Sequence, residues 1–218
     1  MYTRKLSDWD AKYVAAQTLP SIIDRGIVDV DLARRYTELL TKHYKFYSVC
    51  AGARHHHWWL GGLHDHIMEM LGFMADQLKS FPDAYPGVTI EDAIIVAVLH
   101  DFDKIWAYEP ITAEEKIKRD EPGATQFKAL QEFKSTSGHF RILDGFSKTL
   151  LEIARFGIIP TDNQWSAVLF SHGGYSDANV SYGGLSRTGG TVMHYNPLAV
   201  LLHSADMFSA QLLGKSIA

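Results

Sequence analysis

The chain has 218 residues, 46% hydrophobic and 21% charged, a globular balance that can bury a substantial core within one large domain. A formal net charge of −4 and a pI near 6.2 argue against gripping extended nucleic acid by electrostatics alone. The single cysteine, Cys50, excludes an intramolecular disulfide and a Cys-rich zinc site, and no apolar run is long enough to span a bilayer. The charged N-terminal stretch MYTRKLSDWD has no signal-peptide core, and with one thiol the expectation is a soluble protein of the reducing cytoplasm.

The predicted elements are almost all helical. Asp29 to Tyr47 carries Val30, Ala33, Leu39, Leu40 and Phe46 at a loose helical period behind an acidic start. Leu63, Ile67, Met70, Leu71, Met74 and Leu78 form a clearer stripe, ended by Phe81-Pro82 and Pro86-Gly87. Thr89 with Asp92 three residues on reads as a near capping box opening a central helix, whose body is the apolar run Ala93–Leu99. Residues 109 to 124 are charged and broken by Pro110, Pro122 and Gly123, which predicts a surface excursion with one short helix.

A further helix is expected from about Gly138 to Phe156, with Ile142, Leu143, Phe146, Leu150, Leu151 and Ile153 on its buried side. Another covers Thr161 to Phe170, capped by Thr161 or Asp162. A glycine-rich stretch from Gly173 to Gly190 comes next, holding Tyr175, Tyr182 and Arg187, either flexible surface or a lid for an anionic or aromatic ligand. Asn196-Pro197 opens the last helix, striped by Leu198, Leu201, Leu202, Ala205 and Leu212. No internal repeat or domain boundary is visible, so the expected fold is one all-α domain over residues 1–218.

Along these helices, His66, His100-Asp101, His139, His172 and Asp206 recur at intervals of 33 to 38 residues, each at a predicted helix end or core face. Imidazole and carboxylate together suit borderline divalent metals. Six such groups exceed what one tetrahedral ion needs, which suggests two ions sharing a site. The adjacent pair His64-Asp65 shows that a His-Asp dipeptide alone carries little. His56 and His57 are expected near the cavity, as packing or hydrogen-bonding support more than as ligands. His203 falls one helical turn before Asp206 and can orient it or touch substrate. Trp58 and Trp59 are expected as core more than as stacking platforms, and His43, His194 and Cys50 as structural residues.

The order His, His-Asp, Asp resembles the HD-domain metal-dependent phosphohydrolase superfamily. His56-His57-Trp58-Trp59-Leu60-Gly61-Gly62-Leu63-His64-Asp65-His66 is similar to the HHxxxGGLLEH segment of the branch that contains bacterial 3′–5′ exoribonucleases of the YhaM type. Leu99-His100-Asp101-Phe102-Asp103-Lys104 resembles that branch's LHDxGK, Gly138-His139 its GH, Phe170-Ser171-His172-Gly173 its SHHG, and Leu202-His203-Ser204-Ala205-Asp206 its LHxAD. The resemblance implies a single HD-domain helical bundle with a glycine-rich loop insertion, an N-terminal helical extension of about residues 1–50 and a metal-binding core of about 51–212. It implies metal ligation by His66, His100, Asp101, His139, His172 and Asp206, and places Lys104 at a substrate phosphate. Two features depart from the pattern: Asp103 stands where the glycine is usual, and Ser171-His172 offers one histidine for two.

The function these readings imply is hydrolysis of a phosphoester bond in a nucleotide, cyclic nucleotide or short oligonucleotide. Two divalent ions (Mn, Fe, Mg, Zn or Ni) would activate a water, with Asp101 as the bridging and catalytic carboxylate. Lys104, His57, His203 and Arg187 would meet a small phosphorylated substrate. Extended nucleic acid and membrane are not expected partners, and the oligomeric state is open. The rival readings are a di-iron oxygenase of the same superfamily, told apart by iron content and O₂ consumption, and a catalytically silent nucleotide-sensing module.

Overall fold

Thr18 and Asp29 cap the first two helices in residues 14–52, 56–114, 133–135, 145–171 and 196–213, which the computed structural model describes. Thr18 accepts from the Ser21 amide and Pro20 lies in the first turn of α1 (Leu19–Gly26). The Asp29 carboxylate accepts from the amides of Asp31 and Leu32 at the start of α2 (Val30–Lys42). The predicted helix to Tyr47 stops at Lys42 and resumes as a 3-10 turn, Tyr44–Tyr47. The break lets His43 turn inward against Glu152.

α3 (Gly62–Ser80) starts from Gly61, whose φ of 82° suits only a residue without a Cβ, and ends before Pro82 as the sequence predicts. α4 (Ile90–Leu99) opens with the expected capping box: Thr89 Oγ1 accepts from the Asp92 amide, and Asp92 accepts from the Thr89 amide. Ala93 through Leu99 are all buried, so α4 is covered on every side. α5 (Lys104–Ala107) is a single turn leading into β1 (Tyr108–Pro110), which pairs antiparallel with β2 (Phe133–Ser135), Glu109 opposite Lys134. β1 ends inside the predicted surface excursion, no element was predicted for β2, and these three-residue strands leave the described residues mostly helical, as the all-α expectation requires.

α6 (Gly145–Arg155) carries a correction. Leu150 and Leu151, predicted to be buried, are 41% and 47% exposed, while Thr149, Glu152 and Ile153 face inward. The cause is tertiary. Glu152 Oε1 is 2.8 Å from His43 Nε2 and 3.4 Å from Lys42 Nζ, and Oε2 is 2.6 Å from Arg155. Burial pushes that carboxyl up, but the hydrogen bonds from His43 and Arg155 outweigh it and hold it below its ordinary value. His43 also meets Phe102 and Trp106 edge-on. Ile142 and Leu143 lie outside the described residues.

α7 (Asp162–Phe170) is capped by Thr161, with Gln164 completing a second capping box. The Gln164 side-chain amide donates to Asp92 Oδ1 at 2.8 Å, which joins the start of α7 to the start of α4. α8 (Pro197–Phe208) opens on Asn196, whose side chain accepts from the amides of Leu198 and Ala199, and runs into a π-helical turn, Ser209–Leu213. α8 packs on α3 and α7, α3 and α7 pack on α4, and α1 packs on α2 and α4. Residues from Val14 to Ala205 therefore share one hydrophobic cluster, and no described helix is long and apolar enough to cross a membrane.

Candidate metal centre

Three helices deliver four of the predicted ligands to one place. His66 projects from the second turn of α3, His100 and Asp101 from the end of α4, and Asp206 from the last turn of α8. His66 Nε2 lies 3.3 Å from Asp206 Oδ1 and 3.9 Å from Asp101 Oδ2, and His100 Nε2 lies 3.6 Å from Asp101 Oδ2. His66 and His100 are fully buried, and neither Nε2 has a hydrogen-bond partner. An orphaned buried nitrogen costs on the order of 1–3 kcal/mol. Two of them converging on two carboxylates is the arrangement expected when the lone pairs serve a cation, and His66, His100 and Asp101 lie close enough to share one. The donor set fits a borderline divalent metal.

The ring orientations agree with this. His100 Nδ1 is 2.8 Å from the Ala97 carbonyl, which can only accept, so Nδ1 carries the hydrogen and Nε2 is bare. Burial also lowers the His100 pKa, keeping the ring neutral. For Asp206, burial raises the carboxyl, but His66 and His100 outweigh it and the net shift is downward. His139 and His172 lie outside the described residues, as do Arg187 and the stretch 173–190.

Lys104 begins α5 and places Nζ 3.6 Å from Asp101 Oδ1. Asp101 raises its pKa against the opposing effect of burial, so it stays a cation at the edge of the site. Asp103, which stands where the glycine is usual, adds to the negative charge that raises Lys104. A Cβ built on Gly145 would stand 2.3 Å from Asp103 Oδ2, so that carboxylate packs against the first residue of α6.

Two substrate-facing expectations fare differently. His57 is fully buried, with Nε2 3.0 Å from Glu69 Oε2 and Nδ1 3.2 Å from His56 Nδ1. Both nitrogens are engaged inside the protein, so His57 supports the site rather than meeting a substrate. His203 gives Nδ1 to the Ser171 carbonyl, tying α8 to the end of α7. Trp58 and Trp59 are half-buried and meet edge-on, and Trp59 donates to Asp65 Oδ2 at 2.8 Å.

Sequence reasoning missed Glu69 and Ser209. The Ser209 hydroxyl lies 2.9 Å from His66 Nδ1 and 2.6 Å from Glu69 Oε2. Burial raises the Glu69 carboxyl, but hydrogen bonds from His57 and Ser209 bring it below its ordinary value. The available signal was the spacing of Glu69, one turn beyond His66 on the same helix.

The buried rings make stability depend on pH. Burial, with His66 nearby, pushes His56 down to about 4, and His100 is lowered too. In the unfolded chain such rings take up protons below about pH 6.5, while in the fold they stay neutral. The unfolded state then binds more protons in that window, so the stabilisation is complete above about pH 6.5 and shrinks as pH falls towards 4. For His56 the loss at about pH 5 is on the order of 2 kcal/mol. Urea unfolding in chelator at about pH 7 and about pH 5 measures it, and equal midpoints at the two would disprove neutral burial.

Among curated proteins, the chain is similar over 74 residues to the 3′–5′ exoribonuclease YhaM of Listeria monocytogenes serotype 4b and of its serovar 1/2a, at 36% identity in each. The same enzyme of Listeria innocua serovar 6a matches at the same identity. Each match covers 33% of this chain and 22% of the relative, so the likeness is partial and distant. No protein-family profile and no solved structure matches.

Proposed function

We propose that this protein is a metal-dependent phosphohydrolase of HD type that cleaves a phosphoester bond in a nucleotide, cyclic nucleotide or short oligonucleotide. The observation that carries the reading is the pair of orphaned, buried Nε2 atoms of His66 and His100 facing Asp101 and Asp206, with cationic Lys104 beside them. Of the six proposed ligands, these four come together, and His139 and His172 complete the proposal from the sequence pattern alone. Divalent ions bound there would lower the pKa of a bound water and polarise a phosphate oxygen.

The chain's own groups do the rest. Burial keeps the His100 ring neutral, so binding a cation displaces no proton from it. Asp101 and Asp206 supply the negative charge that retains it. Lys104, kept protonated by Asp101, offers three N–H donors to a phosphate oxygen and offsets charge developing there. That cation at the edge of the site favours a phosphorylated substrate over an O₂-dependent reaction. The activity named for the relatives extends the substrate range towards RNA ends, which a chain of net charge −4 would hold as short segments.

The test is elemental analysis of chelator-free protein, followed by hydrolysis assays on nucleotides, cyclic dinucleotides and short oligoribonucleotides with Mn²⁺, Mg²⁺ or Fe²⁺. Bound divalent metal with phosphate-ester cleavage that chelation abolishes is the expected result. Protein that neither carries nor takes up metal, or that consumes O₂ and leaves every phosphoester intact, would overturn it.

A further inference from the structure

The end of α8 flanks His66 at both ring nitrogens and hydrogen-bonds it at one. Asp206 Oδ1 stands 3.3 Å from Nε2 on one side, and the Ser209 hydroxyl, one turn later, 2.9 Å from Nδ1 on the other. Ser209 opens the π-helical turn at the end of α8, and such wider turns often occur at functional sites. The two contacts compete for the single hydrogen of a neutral imidazole. Asp206 alone would draw it to Nε2, where it would block the lone pair a metal needs.

Beyond Ser209 the hydrogen-bond directions are fixed. Glu69 Oε2 lies 2.6 Å from the Ser209 hydroxyl, and an ionised carboxylate only accepts, so the hydroxyl hydrogen is committed to Glu69. The Ser209 oxygen then presents only lone pairs to His66, and Nδ1 must donate. Glu69 is held in turn by His57, whose Nε2 lies 3.0 Å from the same oxygen. His57 sits at φ 45°, a left-handed backbone conformation rare for a residue with a side chain, and is fully buried. The surroundings hold it in that conformation.

We propose that Glu69 and Ser209 are positioning residues that keep the hydrogen of His66 on Nδ1, so that Nε2 stays a bare ligand facing Asp101 and Asp206. The purpose rests on the metal-centre reading above, but the hydrogen's location can be measured without metal. The experiment is long-range ¹H–¹⁵N correlation of the histidine rings in the metal-free full chain at about pH 9, well above the ordinary imidazole pKa. His66→Gln identifies the signal. Wild-type protein is expected to show the Nδ1–H form at His66, and Ser209→Ala and Glu69→Ala each to shift it to Nε2–H, with divalent-metal affinity about 10–100-fold weaker.

Two variants acting on one hydrogen keep the test decisive if either folds poorly, and a loss confined to packing would not move the tautomer. Wild-type His66 in the Nε2–H form, or variants that keep Nδ1–H and full metal affinity, would overturn the proposal. An Nδ1–H signal that shifts in both variants of a chain with no affinity for divalent metal would uphold it while removing the metal reading.

Discussion

Replacing Asp101 with Ala is expected to lower hydrolysis at least about a thousandfold, equivalent to about 4 kcal/mol of barrier, and to strip the protein of bound divalent metal. Asp101 is only 5% exposed and is the shared neighbour of His66, His100 and Lys104, at 3.9, 3.6 and 3.6 Å. Without its carboxylate the two orphaned nitrogens face a site short of negative charge, and Lys104 loses the group that chiefly raises its pKa. Leaving one member of a mostly buried pair alone is costly in itself. Asp101→Asn keeps the shape and removes the charge, separating collapse of the site from loss of chemistry. Metal stoichiometry and kcat on the best substrate measure the effect, and an Asn variant with wild-type metal content and rate would sink the assignment.

The second large effect is structural. Gly62→Ala is expected to destabilise the fold by about 2–3 kcal/mol, in the range for forcing volume into a packed interior. In a chain of this size that lowers Tm by roughly 4–12 °C. A Cβ at Gly62 would stand 2.0 Å from the His57 carbonyl oxygen and 2.7 Å from its carbon, backbone atoms that have little room to give. The same carbonyl accepts from the Ala51 amide at 3.1 Å, while Gly61 and Leu63 donate to the carbonyls of Ser48 and Val49. The methyl would push His57 away from Glu69 and open this loop. Thermal unfolding monitored by circular dichroism gives the Tm, and an unchanged value would show that the loop is looser than its hydrogen bonds indicate.

How far the sequence could be read depended on whether a feature was local. The starts of α4, α7 and α8 were legible because each carries its own cap: Thr89 with Asp92, Thr161, and Asn196 before Pro197. α1 was not singled out within the expected N-terminal helical extension because its eight residues, with Pro20 second and Gly26 last, give too short a period to stand out. The inward face of α6 was misjudged because its buried acid is satisfied by Lys42 and His43, about 110 positions away. Leu150 and Leu151 therefore yield the interior to a charged group.

In the site, the convergence of His66, His100, Asp101 and Asp206 was anticipated by residue type, order and spacing. Ser209 and Glu69 escaped notice because each is unremarkable in its own helix and they meet only across 140 positions. Their importance comes from hydrogen-bond direction, which a sequence does not display.

The bond between Gln164 and Asp92 has a consequence for which length changes the chain can accept. It ties α4 and α7 together at their capped starts. His100 lies eleven positions after Thr89, and His172 eleven after Thr161. Each residue added to or deleted from either span would shift the downstream end by about 1.5 Å and turn it by about 100°, and in the first span would carry His100 and Asp101 together away from His66. Insertions in the stretch between Pro110 and Phe133 would leave both spans untouched. Natural and engineered length variation should therefore collect in that stretch, and the two eleven-residue intervals should stay constant.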